Sequence, residues 1–326
     1  MSTLLFSLKS LCNIQPLAFA IGALCARYLP QKLSVEKFGK ILSLIVLLCL
    51  GIKGGGALGC NKVFFKEFLL LVVSGMAVGF LQPFISFFIL RFFNLVSTAT
   101  AAAISACFGS ISVMTFAIAV VFLDSFSIKY NPSIIAVCAL MEIPAILSGL
   151  YLAKKYENTQ SVPNVSWLSN IKHCFFDRNI LALTFGILFG YICNVFSLAH
   201  ILQPVISSWQ VCVVVFLSIM GVRVGKKIKQ QGFLNGKIVL FGIIMPLIGG
   251  MIGCVVSKIL GLDLGTACLF TTLIASCSYI AVPAVMTTAL PHAQENIYLS
   301  LSLAIVFPFN IIIGIPIYYS TLSALI

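Results

Sequence analysis

Only one of the eight acidic residues, Glu142 in ALMEIPAILSG (139–149), falls in the middle of an apolar stretch long enough to cross a membrane. A carboxylate at the centre of such a span costs about 2.5–3.5 kcal/mol on insertion scales, so a cation, a proton or a polar partner must offset it. No Lys or Arg lies at similar depth in the same stretch. That points to sodium binding or to protonation of Glu142. The plainer alternative is a protonated carboxyl bonded to a backbone carbonyl. In the second half of the chain, Asn310 of FPFN occupies roughly the corresponding region. Its amide oxygen suits an ion, and an Asn there also serves simply to bridge helices.

Two further segments break the apolar pattern at matching places. One is Ala106-Cys107-Phe108-Gly109-Ser110-Ile111-Ser112-Val113-Met114-Thr115, the other Ala275-Ser276-Cys277-Ser278-Tyr279-Ile280-Ala281-Val282-Pro283. Gly109 weakens a helix interior and the serines compete for backbone hydrogen bonds. Pro283 lacks an amide donor and suits the first turn of a new helix. Discontinuous helices are therefore expected near 109–113 and 278–283. A break offers amide N–H groups at the start of one half-helix, which favour an anion. Carbonyls and hydroxyls at the end of the other favour a small cation. Gly109, Ser110, Ser112, Ser276, Ser278 and Tyr279 are the candidate anion site, and Thr115, Glu142 and Asn310 the candidate sodium site. The alternative for the serines and glycine is close helix packing.

Other chemistry finds little footing. Gly54-Gly55-Gly56 is followed by no GK[ST], so it is no phosphate loop. His173, His200 and His292 fall in loops or at helix ends, which weakens both a His-ligated metal and a buried serine nucleophile with its base. No metal beyond sodium, no cofactor and no catalytic residue is expected, and the chain does not read as an enzyme. The twelve cysteines are scattered singly, without CxxC, and read as small hydrophobes. Lys53 and Arg223 sit at helix ends and are expected to snorkel or anchor on opposite sides of the membrane.

Composition sets the frame for these residues. Of 326 residues 60% are hydrophobic and 9% charged, too few charges to cover a soluble globule. The net charge of +12 marks cytoplasmic loops rather than a nucleic-acid face. The early residues MSTLLFSL carry no positive n-region, and the first apolar segment is expected to be retained as a helix.

Apolar segments near 14–29, 38–52, 66–89, 97–123, 132–153, 179–195, 205–222, 236–259, 264–289 and 296–324 predict an all-α polytopic membrane protein of about ten helices. Residues 154–178 and 223–237 are the polar connectors. With both termini outside, 14 Lys and Arg fall on inner loops and 6 on outer ones, which favours that orientation.

LAFAIGALCARYL (17–29) resembles LALTFGILFGYIC (181–193), and GIKGG (51–55) resembles GVRVG (221–225). ISACFGSISV (104–113) lines up with LIASCSYIAV (273–282), and 139–149 with 304–314, at offsets of 164 to 170. A first repeat over 1–153, a cytoplasmic connector over 154–178 and a second repeat over 179–326 follow. Five helices is an odd number, so the repeats must be inverted, an arrangement that places a transport site between the halves.

At these residues the chain resembles the sodium-dependent bicarbonate transporter family, the SbtA-like bacterial permeases. Phe108, Gly109, Ser112 and Thr115 match its Phe-Gly-x-x-Ser-x-x-Thr element. Glu142, Ile143, Pro144 and Ala145 match an acidic-Ile-Pro-Ala element, with Glu for Asp, and Ser276, Ser278 and Pro283 match a Ser-rich stretch leading to Pro. The resemblance implies a ten-helix inverted-repeat fold in the bacterial inner membrane and sodium-coupled uptake of bicarbonate. It also implies a homotrimer, and raises a PII-like regulator for which the central loop is short.

Tyr279 stands where the cyanobacterial proteins carry Asp, Ala281 and Val282 replace Ser and Gly, and Val113 and Met114 replace Gly and Ser, as in a Ser-Tyr-Ile-Ala-Val-Pro branch of the family. A sodium-coupled importer of a small inorganic anion, bicarbonate first, is the expectation. The alternatives are an organic-anion carrier of auxin-efflux or bile-acid-symporter type and a non-transporting receptor or scaffold. The expected partners are that anion and membrane lipid, with no nucleic acid.

Overall fold

A computed structural model describes residues 14–26, 28, 35–60, 65–156, 178–196, 198–231 and 234–326. The helices are α1 (Ile14–Cys25), α2 (Val35–Cys60), α3 (Phe65–Phe92), α4 (Thr98–Gly109), α5 (Val113–Ser125), α6 (Ile134–Tyr156), α7 (Arg178–Val195), α8 (Ala199–Gln231), α9 (Gly236–Ile259), α10 (Leu264–Ala275) and α11 (Ala281–Ala289). The last, α12 (Glu295–Leu325), widens to π-helical turns over Leu301–Val306 and Asn310–Gly314. Six helices among the described residues, counting α4 and α5 as one, are long and apolar enough to cross a membrane. α1, α7 and α10 are apolar but shorter.

One expected boundary moves. The polar stretch 223–237 is not a connector throughout: α8 continues through Arg223 to Gln231. Lys, Arg and Gln are good helix formers, so the charges end the apolar run without ending the helix. The central connector lies, from 157 to 177, outside the described residues.

The helices pack as two bodies. In the first, α2 lies along α7 and α1 along α8, with α8 also on α2. Backbones touch there: a Cβ added to Gly186 of α7 would stand 2.6 Å from the Leu48 carbonyl oxygen and 3.0 Å from the Gly51 Cα. Such small-residue contacts hold helices together where no hydrophobic force between them exists. The second body contains α3 to α6 and α9 to α12, with α4 and α10 at its centre. α4 is TATAAAISACFG, small and apolar all round, and all its residues after Thr98 are buried. A helix without a polar face belongs inside.

An ion pair joins the bodies. Lys53 of α2 bonds Asp124 at the end of α5, and its ammonium lies 5.1 Å from the ring centre of Trp209 on α8 and 5.8 Å from that of Tyr130. Only about a fifth of either charged side chain is exposed, 20% and 23%. Lys53 is therefore held between the bodies rather than at a free surface. Of the nine cysteines whose side chains are described none forms a disulfide, and seven are buried.

Candidate functional site

The two expected interruptions are present, and they meet. α4 ends at Gly109, where Ser110 turns to extended backbone (φ −91°, ψ 177°) while its amide bonds Ala106 O at 3.1 Å. A Cβ on Gly109 would collide with the Pro83 ring of α3 and stand 2.6 Å from the Gly79 carbonyl oxygen, so only glycine lets α4 end there. Ser112 then caps α5: its Oγ accepts from the Thr115 amide at 3.2 Å and from the Thr115 hydroxyl at 2.8 Å. Serine at this position satisfies a first-turn donor that has no intrahelical acceptor.

α10 repeats the pattern. It has 12 residues, as α4 has, and Ser276 at its end is likewise extended (φ −84°, ψ 171°). Ser97 caps α4 through the Thr100 amide and Asp263 caps α10 through the Thr266 amide, positions 166 apart in each case. The halves are cross-tied at these caps. Gln294 donates its amide to the Thr100 hydroxyl at 3.0 Å, and Asn131 to the Thr266 hydroxyl at 2.7 Å. The same spacing sets Ser110 opposite Ser276 and Ser112 opposite Ser278. The sequence alignment of 104–113 with 273–282 was therefore three residues out of register.

Across the meeting point, the Ser112 amide donates to Ser276 Oγ at 2.8 Å, and Ser276 Oγ donates to Leu273 O at 2.8 Å. The Ser278 amide donates to Cys107 O at 2.8 Å. Ser278 Oγ accepts the Val282 amide at 3.4 Å.

A small cavity lies where the second half-helices begin. It is lined by Ile111, Ser112, Val113 and Met114, by Ser278, Tyr279, Ile280 and Ala281, by Glu142 of α6, and by Leu47 of α2 from the other body. The first-turn amides of α5 and α11, among them those of Val113, Met114 and Ala281, have no intrahelical acceptor, and both helix starts carry positive dipole ends. The buried Glu142 lines the same cavity as these two helix starts. The cavity volume is about 20 Å³, room for a water or a bare ion.

The candidate residues divide accordingly. Ser112, Ser278, Tyr279 and Glu142 line the cavity. Gly109, Ser110 and Ser276 build the breaks behind it. Thr115 holds Ser112 in place. Tyr279 packs edge-on against Phe307, and its hydroxyl faces Ser112 without closing a regular hydrogen bond.

Asn310 stands apart from the cavity. Its Nδ2 donates to Ala275 O at 3.0 Å, and its Oδ1 accepts from Tyr318 at 2.9 Å. Sequence reasoning missed Gln82, whose Nε2 donates to Ile274 O at 2.9 Å. A buried amide side chain just before Pro83, inside an apolar run, was the available signal. It also missed Leu47, which nothing in its apolar surroundings distinguishes.

The described residues form an all-helical, multi-pass membrane protein in which two interrupted helices meet beside a buried acid, an arrangement that membrane transporters use for their sites. Within that class, the chain matches the Na+-dependent bicarbonate transporter superfamily over residues 16–323 and belongs to that family. No curated protein matches the chain.

Proposed function

We propose that the chain is a sodium-coupled secondary transporter that imports a small inorganic anion, bicarbonate first. The observation that carries this reading is that the starts of α5 and α11 share one buried cavity with Glu142. The amides of Val113, Met114 and Ala281, with the hydroxyls of Ser112 and Ser278, form the anion side. Glu142 and the oxygens at the end of α4 form the cation side, with Thr115 holding Ser112 from behind. An anion and a carboxylate in one chamber repel each other, and a cation between them turns that repulsion into linked binding.

Cavity size favours this reading over an organic-anion carrier. About 20 Å³ has to widen even for bicarbonate, and far more for a bulky carboxylate. Alternating access follows if the second body carries the cavity past Leu47 of the first. The matching lengths, caps and cross-ties of α4 and α10 support two inverted repeats, and the Lys and Arg bias supports termini outside in a bacterial inner membrane. A homotrimer remains part of the proposal by family membership.

The test is uptake of labelled bicarbonate into proteoliposomes with sodium or potassium outside. Sodium-dependent uptake is expected. Undiminished uptake in potassium rejects sodium coupling, and no uptake in either rejects bicarbonate as substrate.

A further inference from the structure

The two helix breaks are alike in backbone and unlike in the side chains that finish them. At the end of α10 three carbonyls are taken by side chains. Ser276 Oγ takes Leu273 O, Gln82 Nε2 takes Ile274 O, and Asn310 Nδ2 takes Ala275 O. Gln82 and Asn310 are both fully buried. The Ala275 carbonyl can only accept, which fixes Nδ2 as the donor end of the Asn310 amide; Oδ1 then accepts from the Tyr318 hydroxyl at 2.9 Å, which also lies 3.1 Å from the Pro246 carbonyl.

At the end of α4 no side-chain amide arrives among the described residues. The 166-residue spacing that pairs the two breaks puts Ile248 opposite Gln82 and Pro144 opposite Asn310, and neither side chain has a donor. The bonds made there come from backbone amides, Ser110 to Ala106 O and Ser278 to Cys107 O. Ser276 Oγ accepts an amide and donates to a carbonyl, whereas its counterpart Ser110 Oγ is 1% exposed as a residue and makes no hydrogen bond. The acid is one-sided as well: Glu142 faces the cavity, and Pro308 stands at the corresponding place in the second half.

The C-terminal end of a helix carries partial negative charge on its last carbonyls, which a cation or an N–H donor can answer. We propose that the Gln82 and Asn310 amides answer it at α10 as fixed, uncharged substitutes for a cation. The transporter then takes a single coupling cation, on the α4 side, with Ser110 and Glu142 among its surroundings. This rests on the sodium-coupled reading above. Gln82 and Asn310 are positioning residues: they act on substrate only through the α10 carbonyls. One sodium moving with one bicarbonate carries no net charge, so uptake ignores membrane voltage.

The experiment is a dual-label flux in proteoliposomes, 22Na+ against 14C-bicarbonate, with a potassium–valinomycin potential imposed or collapsed, alongside 22Na+ binding to the purified protein. A flux ratio of one, a Hill coefficient near one for sodium, one sodium bound per chain and no response to voltage are expected. Asn310→Asp turns the clamp into an empty cation site, so its sodium dependence is expected to steepen toward a Hill coefficient of two. If that variant does not fold, Gln82→Glu makes the same change from α3, and the wild-type flux ratio decides independently. Two sodium ions per bicarbonate with voltage-stimulated uptake overturns the proposal. So does an Asn310→Asp or Gln82→Glu protein that folds and keeps the wild-type sodium dependence. Bicarbonate uptake that ignores sodium altogether rejects the sodium-coupled reading itself, a result distinct from either of these.

Discussion

The backbone amide of Ser112 donates to the hydroxyl of Ser276 at 2.8 Å across 164 residues of sequence. That one bond ties the start of α5 to the end of α10, so the positive end of one half-helix is placed by the negative end of another. Replacing Ser276 with Ala leaves the buried Ser112 amide without its acceptor and Leu273 O without the hydroxyl donor. An unsatisfied buried group costs about 1–3 kcal/mol. We expect Ser276→Ala to lower the melting temperature in detergent and to weaken bicarbonate uptake. A variant with unchanged melting and uptake contradicts the role given to this bond.

Gly109→Ala is expected to destabilise although alanine is the better helix former. The propensity gain is at most about 1 kcal/mol. The new methyl meets the Pro83 ring and the Gly79 carbonyl, neither of which can rotate away, and overpacking of this kind costs about 1–3 kcal/mol. Thermal unfolding followed by intrinsic fluorescence gives the sign directly; a stabilised Gly109→Ala protein contradicts the packing account.

The breaks were legible in the sequence because Gly109, the paired serines and Pro283 each oppose a continuous helix for a separate physical reason. Glu142 was legible because a carboxyl at that depth demands a partner. The end of α8 was not, since hydropathy reports where a helix leaves apolar surroundings and says nothing of where its hydrogen bonding stops. The roles of Gln82 and Asn310 were hidden for a different reason. An amide in an apolar run announces a hydrogen bond, but only the fold shows that both bonds fall on adjacent carbonyls of α10. Ser276 shows the same limit, since its type predicted a ligand while its hydroxyl joins the breaks through the Ser112 amide and bonds back to Leu273 O within α10.

Glu142→Gln keeps the shape of the side chain and removes its charge. The protein is expected to fold and to lose sodium binding. Sodium-driven uptake should fall at least about tenfold, equivalent to ~1.4 kcal/mol of lost binding energy. Binding of 22Na+ to the purified variant checks this, and wild-type binding contradicts a cation site at Glu142.

The Lys53–Asp124 pair spans the two bodies, so any relative movement of α2 and α5 must break or re-form it. Burial and the Asp124 carboxylate hold the Tyr130 phenol above its ordinary range, so it stays neutral beside the pair. Lys53→Met and Asp124→Asn are each expected to change uptake rate, and the double variant to change it less than their sum. A coupling of about 1–2 kcal/mol, between the values for exposed and fully buried pairs, is expected from a double-mutant cycle on thermal stability. Strict additivity would show that the two side chains do not act together.

The central claim is that the starts of α5 and α11 hold the anion. An experimental structure of the protein in sodium bicarbonate, compared with one in sodium chloride, tests it most directly. The account predicts bicarbonate density bonded to the amides of Val113, Met114 and Ala281 in a widened cavity beside Glu142. Bicarbonate bound elsewhere, with this cavity unchanged, contradicts it.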